Sequence, residues 1–272
     1  MKEITRLTSI HNPTIKKYLT LREKARERKK SKLFILEGKR ELELALKGKY
    51  VIETLLYCSE IISFKEIIQL LDESASKPDI LEISKAIYQK IVVRKTTEGI
   101  VAILKAKSHE LDKLIIEHKN PLILVAESPE KPGNIGALLR TADAANLDAV
   151  LLANYKGDLY NPNIIRSSVG CVFNVSLGMG TTEEILSFLK DKNIPIYAAA
   201  LTASENYDTI NYRNASAIAV GTEATGLTKE FLKASEQNII IPMGGEIDSM
   251  NVSVSAAIII FEAKRQRGFF SR

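Results

Sequence analysis

The amino-acid sequence predicts an α/β protein of two domains, and three observations support this prediction. Short apolar runs alternate with amphipathic segments along most of the 272 residues. The run Leu122–Ala126 is apolar throughout, which is typical of a central strand in a parallel sheet. The polar segment 106–120 carries charges of both signs and ends before Pro121, as is common in linkers. We therefore predict domains at 1–105 and 121–272, joined by a linker at 106–120.

The composition argues against several classes of protein. Hydrophobic residues make up 45% of the chain, which is enough for a buried core. No apolar run approaches the roughly 20 residues that span a bilayer, and the N-terminus lacks the apolar stretch of a signal peptide. Cys58 and Cys171 have no neighbouring histidine that would indicate zinc, and no histidine accompanies a serine or cysteine nucleophile motif. We expect a cytoplasmic protein that needs no metal and is not a triad hydrolase.

The first domain reads as alternating strands and helices. Asn12 and Pro13 begin a predicted helix that continues through a basic segment to about Lys32. Beyond it, apolar runs predict strands at 33–37, 51–58, 80–83 and 99–104, and amphipathic stretches predict helices at 39–47, 64–72 and 84–91. This order predicts a small α/β/α domain.

The second domain repeats the βα pattern. After the strand at 122–126, a helix at 134–146 and a strand at 149–152 are expected, then a helix near 162–167 and a strand at 172–176. The motif Gly178-Met179-Gly180 is expected to be a plain turn, followed by a helix that Thr181 or Thr182 caps. Strands at 194–200, 217–220 and 238–241 and a long apolar C-terminal helix complete the domain. Such repeats predict a mostly parallel sheet with helices on both faces.

A basic segment in the first predicted helix is a candidate nucleic-acid interface. The segment from Leu21 to Lys32 is dominated by lysine and arginine, and the sequence pI is near 9.0. Such a face can contact phosphates, although a solvated helix with a few i,i+4 ion pairs explains the same pattern. The candidate nucleic-acid contacts are Lys16, Arg22, Arg26, Lys29 and Lys30.

Three loops rich in glycine and small polar residues follow predicted strands of the second domain. They contain Pro132–Gly136, Gly221–Gly226 and Pro242–Gly245, and neither a GxGxxG fingerprint nor a P-loop is present. In α/β sheets, ligands bind at the carboxyl ends of the strands. Ser249, Asn251 and Ser253 cluster where the last helix begins, and a helix N-terminus favours electron-rich partners. These loops predict a ligand site.

Three blocks of the second domain resemble the motifs of the SpoU (TrmH-like) RNA ribose methyltransferases, in the family order. The blocks are Asn134–Asp143, Gly221–Leu227 and Ile241–Ser253. In the first domain, the segments Asn12–Lys16, Phe34–Gly38 and Gly99–Ala102 resemble, more weakly, the substrate-binding domain often fused ahead of this catalytic domain. That domain is a ribosomal-protein-like RNA-binding domain. The chain departs from the family pattern at Thr222, Ala224 and Ser255.

The resemblance implies a SPOUT-type fold with a deep trefoil knot in the C-terminal segment, which topology rules alone would argue against. It also implies S-adenosylmethionine as methyl donor, a ribose 2′-oxygen as acceptor and a homodimer through the C-terminal domain. The implied catalytic residues are Arg140, Asn134, Glu223, Ser249 and Asn251. The implied cofactor contacts are Gly221, Glu223, Ile241, Met243, Met250, Asn251 and Ser253.

The chemistry of such a transfer is simple in outline. A ribose hydroxyl is a poor nucleophile at neutral pH, so the protein must align it with the methyl donor and help remove its proton. Arginine stays protonated, so we expect Arg140 to lower the pKa of the hydroxyl rather than act as a base. We predict methylation of large-subunit ribosomal RNA. The alternatives are a tRNA methyltransferase and an inactive RNA-binding scaffold.

Overall fold

The computed structural model describes residues 5–72, 77–93, 98–202, 204–246 and 249–269. The chain divides into two compact units. The first unit contains Met1–Ser108 and Asp158–Asn174, and the second contains His109–Gly157 and Val175–Arg272. The segment Asp158–Asn174, which the sequence analysis placed in the second domain, thus packs within the first unit.

The described residues of the first unit form a five-stranded mixed sheet. The strands have the order β1-β4-β3-β5-β2, in which β5 pairs antiparallel with both β2 and β3 and the other pairs are parallel. The elements in chain order are β1 (Arg6–Leu7), α1 (Pro13–Glu23), α2 (Ala25–Ser31), β2 (Leu33–Glu37), α3 (Lys39–Lys47), β3 (Ile52–Tyr57), α4 (Phe64–Leu71), β4 (Asp79–Ile83), α5 (Lys85–Ile91) and β5 (Ile100–Lys105).

Apolar side chains on both faces of this sheet are buried. Ile15 and Tyr18 of α1 and Ile87 of α5 pack on the face that carries Leu33 and Ile35. Because successive side chains of a strand point to opposite faces, Phe34 lies on the other face, where its ring stacks on Tyr160 with centroids 4.3 Å apart. Phe173 also stacks on Phe34, at 5.7 Å. These aromatic contacts explain why the segment Asp158–Asn174 belongs to the first unit.

The described residues of the second unit form a seven-stranded sheet in which each strand pair is parallel. The strand order is β10-β12-β9-β11-β6-β7-β8. The strands and helices that follow β5 are β6 (Leu122–Glu127), α6 (Pro132–Ala144), β7 (Ala149–Ala153), α7 (Pro162–Ser167), β8 (Leu177–Gly180), α8 (Thr182–Asp191), β9 (Ile196–Ala199), β10 (Ser204–Asn206), β11 (Ser216–Val220), α9 (Lys229–Ala234), β12 (Gln237–Ile240) and α10 (Val252–Gln266), of which α7 lies in the first unit.

Helices cover both faces of the parallel sheet. Ile185 of α8 and Phe231 of α9 pack with Val125 and Ala219 on one face. Helices α6 and α10 contact each other, and α10 contacts β11. The expected parallel α/β fold is therefore confirmed. None of the helices in the described part of the chain combines the length and apolar character that crossing a bilayer requires.

Several predicted elements were wrong in detail. The first helix is broken at Lys24, whose backbone is extended between α1 and α2. Residues 172–176 are not a strand, because the apolar run Cys171–Phe173 is a buried 3₁₀ turn. Gly178 and Gly180 lie in β8 rather than in a turn. The short edge strands β1 and β10 were not expected, and within the third family block Ile247 and Asp248 lie outside the described residues.

Candidate active site

The loop after β11, Gly221–Leu227, is folded tightly on itself. Thr222 and Gly226 exchange two backbone hydrogen bonds, of 3.1 and 3.0 Å, and the hydroxyls of Thr222 and Thr225 are 2.8 Å apart. A Cβ on Gly221 would lie 2.0 Å from the carbonyl carbon of Gly226, so only glycine fits there. Gly226 has a φ of +67°, in the left-handed region that favours glycine. The two glycines thus fix the position of Glu223 between them.

The last helix begins at Val252, and its N-cap is Asn251 rather than Ser249. The Asn251 side-chain oxygen accepts hydrogen bonds from the backbone N–H of Ser253 at 2.9 Å and from its hydroxyl at 2.6 Å. This capping fixes the orientation of the Asn251 amide, because one end is held by the helix. Its NH₂ group is left to donate elsewhere.

The third predicted loop, Pro132–Gly136, forms the beginning of helix α6. Pro132 occupies its first turn, where a missing N–H costs nothing, and Asn134 follows two residues later. Lys131, just before the helix, has an extended backbone, as residues preceding proline usually do.

The three loops meet in a cluster of hydrogen bonds between Asn134, Glu223 and Asn251, which we call the amide–carboxylate cluster. The Asn134 NH₂ donates to Glu223 Oε1 at 2.7 Å, and the Asn251 NH₂ donates to the same oxygen at 3.0 Å. The Asn251 NH₂ also lies 3.1 Å from the side-chain oxygen of Asn134. Residues up to 117 positions apart in the sequence therefore form one hydrogen-bonded unit.

The contacts of Glu223 in this cluster favour its ionised form. Its second carboxylate oxygen, Oε2, accepts from the ammonium of Lys131. Hydrogen bonds from Lys131 and then from Asn134 lower the pKa of Glu223 below its ordinary value, because they stabilise the carboxylate. The carboxylate thus presents one oxygen to a cation and the other to two amides.

A cavity of about 460 Å³ opens beside the cluster, and we call it the loop cavity. That volume lies within the range of about 300–1,000 Å³ that is usual for small-molecule sites. The predicted site residues that line it are Gly221, Glu223, Ile241, Met243, Ser249 and Met250. Apolar side chains such as Val220, Leu227 and Ile259 form much of its wall. A molecule with an apolar body and a few polar groups fits this lining.

Four of the predicted catalytic and cofactor residues do not line the loop cavity, namely Asn134, Arg140, Asn251 and Ser253. Asn251 and Asn134 belong to the amide–carboxylate cluster, and Ser253 donates to Asn251.

Arg140 lies on the exposed side of α6, outside both the cavity and the cluster. Helix geometry separates it from Asn134 by about 9 Å along the axis and turns it by roughly 120°. Within the described part of the chain, its guanidinium forms no hydrogen bond or ion pair.

The basic segment of the first unit is divided between surface and interior. Lys16, Arg26, Lys29 and Lys30 are exposed. Arg22 donates to the backbone carbonyl of Ile91 at 2.8 Å and pairs with Glu23, so much of its hydrogen-bonding capacity serves the fold.

Arg28 belongs to the same segment but is buried. Its guanidinium lies 2.5 Å from the Asp158 carboxylate, and the two side chains are only 4% and 10% exposed. It also donates to the backbone carbonyls of Leu21 and Arg22 across the break at Lys24. Arg28 therefore joins α2 to α1 and to the segment Asp158–Asn174, and it is not available to RNA.

Sequence reasoning missed two residues near the loops. Lys131 was overlooked because a lysine before proline carries no pattern of its own. Glu127, at the end of β6, is buried and accepts from the hydroxyls of Thr182 and Thr228 at 2.6 and 2.9 Å and from the N–H of Thr228 at 2.8 Å. An acidic residue that ends an apolar strand was the available signal. Because Thr228 directly follows the loop Gly221–Leu227, Glu127 anchors the end of that loop.

Residues 121–261 match the SpoU rRNA Methylase family. The chain belongs to this family. The resemblance noted in the sequence is therefore confirmed, and residues 12–102 match the MRM3-like substrate binding domain.

Relatives of this SpoU methylase differ in how much of the chain they cover. The 23S rRNA (guanosine(2553)-2′-O)-methyltransferase RlmP of Bacillus subtilis is 27% identical over 97% of the chain and 100% of the relative. The tRNA (guanosine(18)-2′-O)-methyltransferase of Thermus thermophilus is 32% identical over 60% of the chain and 84% of the relative. An AdoMet-bound rRNA methyltransferase from Sinorhizobium meliloti has a TM-score of 0.87 and 25% identity, covering 96% of this chain and 98% of that structure.

Proposed function

We propose that this SpoU methylase transfers a methyl group from S-adenosylmethionine to a ribose 2′-hydroxyl of large-subunit ribosomal RNA. The observation that carries the proposal is the amide–carboxylate cluster, in which one residue from each family motif joins beside a cavity. The chain's membership of the family and its likeness to an AdoMet-bound rRNA methyltransferase support the same reaction.

The loop cavity fits the methyl donor in size and lining. S-adenosylmethionine supplies a methyl carbon bonded to a positively charged sulfur, which leaves as a neutral thioether when the 2′-oxygen takes the methyl group. Gly221, Ile241 and Met250 line the cavity. We propose that their main-chain groups bind the polar parts of the methyl donor. Glu223 lines the edge of this cavity, where its carboxylate is held by Lys131 and by two amides.

Arg140 is the residue that we assign to the acceptor hydroxyl. Its exposed guanidinium is free to approach a ribose and its phosphates, because it has no partner within the described residues. A guanidinium beside the 2′-oxygen lowers the pKa of that hydroxyl and favours loss of its proton. A phosphate of the substrate can accept that proton. Asn134 orients the reacting groups from its place in the cluster.

Ribosomal RNA is favoured over tRNA by the first unit. The relative that spans both units acts, by its name, on 23S rRNA, whereas the tRNA enzyme matches only 60% of the chain. The exposed cations Lys16, Arg26, Lys29 and Lys30 supply the charge that binds an RNA backbone. We also propose that the protein acts in the cytoplasm.

The protein acts as a homodimer through its second unit in this proposal. Val254 and Phe261 on α10 are 48% and 41% exposed, and their spacing of seven residues puts them on one face of the helix. An exposed apolar stripe of this kind suits a second copy of the chain. We also propose the trefoil knot, since β12, the last strand, lies between β10 and β9 rather than at an edge.

Methyl transfer from labelled S-adenosylmethionine to unmodified rRNA and tRNA tests the proposal, with the labelled nucleosides identified by mass spectrometry. We expect label in a 2′-O-methyl nucleoside of 23S rRNA. Label in tRNA alone would keep the chemistry and contradict the substrate. Tight RNA binding without transfer or S-adenosylmethionine binding would favour the inactive scaffold.

A further inference from the structure

Lys131 contacts the amide–carboxylate cluster although it belongs to none of the residues that the family motifs specify. Its side chain is 68% exposed, yet its ammonium contacts Oε2 of Glu223, which is itself 29% exposed. The contact links the turn before α6 to the loop after β11, 92 positions away in the sequence.

The geometry of Glu223 depends on which of its oxygens is held. Oε1 accepts from both Asn134 and Asn251, at 2.7 and 3.0 Å, and Oε2 accepts from Lys131. A glutamate side chain on a loop has several rotamers of similar energy. Contacts on both oxygens restrict it to one, because a rotation that keeps the amides loses the ammonium.

The backbone conformation at Lys131 restricts where its side chain can lie. Pro132 restricts the preceding residue to extended conformations, and Lys131 has a φ of −79° and a ψ of 121°. The direction of the Cα–Cβ bond of Lys131 is therefore restricted. Asn134, three residues later, is held by the first turn of the same helix. One short stretch of chain thus contacts both oxygens of the carboxylate.

We propose that Lys131 is a positioning residue for methyl transfer, whose ammonium holds Glu223 so that Oε1 stays on the amides of Asn134 and Asn251. This inference rests on the function proposed above and adds a residue to it. The lysine acts through Glu223 and need not touch the methyl donor or the ribose.

Substitution of Lys131 should slow methyl transfer without changing the stability of the protein. Exposed ion pairs contribute little to folding, so Lys131→Met should unfold at the same temperature as the wild type. Loss of a fixed Glu223 geometry, in contrast, should slow the transfer step, because small displacements of aligned groups lower rates strongly.

The test measures single-turnover rates and the affinities for S-adenosylmethionine and rRNA in a double-mutant cycle. The variants are Lys131→Met, Lys131→Arg, Glu223→Gln and the Lys131→Met, Glu223→Gln pair. Lys190→Met, an exposed lysine of α8, is the control. We expect Lys131→Met to lower the single-turnover rate on the order of tenfold, with RNA affinity unchanged and substantial rescue by arginine. In the Glu223→Gln background, Lys131→Met should have no further effect.

Three outcomes would overturn the inference while leaving the proposed function intact. The first is a Lys131→Met rate and RNA affinity equal to those of the wild type. The second is an equal loss of rate with and without the Glu223 carboxylate, and the third is a loss confined to RNA affinity. The second and third would mean that Lys131 acts independently of Glu223. An inactive wild type would instead contradict the proposed function itself.

Discussion

The amide–carboxylate cluster and the basic segment place their polar groups in different ways. In the second unit, Asn134, Glu223 and Asn251 bond to one another, and two glycines fix the loop that carries the carboxylate. In the first unit, the lysines at positions 16, 29 and 30 are exposed. The cluster therefore suits a reaction that requires alignment, whereas the exposed cations suit a long polyanion that requires charge.

The arginines of the basic segment show the same division within a few residues. Arg26 is exposed, whereas Arg28 is buried against Asp158. The sequence pattern treats the two residues alike. Only packing separates the residue that can bind RNA from the residue that maintains the fold.

The largest effect should come from Arg140→Ala, which tests whether the chemistry depends on this arginine of the second unit. We expect the single-turnover rate to fall on the order of 10³-fold, as is usual when assistance to proton transfer is lost. Affinity for S-adenosylmethionine should stay unchanged, because Arg140 does not line the loop cavity. Isothermal titration and rapid-quench transfer measure the two quantities. Weakened cofactor binding would contradict the assigned role.

Arg28→Met tests whether the buried arginine of the basic segment contributes more to stability than the exposed Arg26. It leaves the buried Asp158 carboxylate without its cation, so the free energy of unfolding should fall by about 3–5 kcal/mol. Arg26→Met, two residues away and exposed, should change it by less than about 0.5 kcal/mol. Urea denaturation measures both variants. Equal stabilities would mean that the buried ion pair does not hold the first unit together.

Gly221→Ala tests whether the conformation of the loop after β11 is needed to bind S-adenosylmethionine. The added methyl would meet the backbone of Gly226, so the loop must move and the affinity for S-adenosylmethionine should fall roughly ten- to hundredfold. Gly133→Ala is the matched control, because a Cβ there has no neighbour within 4 Å. Isothermal titration compares them. Tight binding by Gly221→Ala would show that the loop does not shape the cofactor site.

The double variant Lys29→Glu, Lys30→Glu should have the smallest effect, confined to RNA binding. We expect rRNA affinity to fall on the order of tenfold at 0.1 M salt, with a shallower salt dependence. Lys65→Glu, Lys90→Glu is the control with the same change of net charge. Filter binding over a series of salt concentrations measures both. An equal loss in the control would mean that net charge, and not this segment, binds RNA.

Local patterns of apolar and polar residues predicted most of the strands and helices, and the resemblance to the family motifs predicted the residues that meet in the cluster. The break at Lys24 and the strand β8 were missed because tertiary contacts decide them. Gly178 pairs with Leu151 of β7 in the sheet, and a Cβ there would meet the side chains of Leu111 and Leu151. Likewise, Phe173 belongs to an apolar run whose burial against Phe34 no local pattern reveals.

The N-cap of the last helix is another feature that the sequence alone did not decide. Ser249 and Asn251 are both good N-cap residues, so composition could not choose between them. The structure selects Asn251, whose amide can then reach Glu223 and Asn134. The contact of Lys131 with Glu223 also could not be predicted from local sequence, since the two residues are 92 positions apart.

The most direct test of the division between the two units compares Asn251→Ser with Lys29→Glu, Lys30→Glu on unmodified 23S rRNA. Serine keeps a capping oxygen for α10 but removes the amide that donates to Glu223. Single-turnover rates at saturating RNA and dissociation constants are measured for both variants. We predict that Asn251→Ser lowers the rate and leaves RNA affinity unchanged, whereas the lysine variant does the reverse. Equal effects of both variants on both quantities would contradict the account.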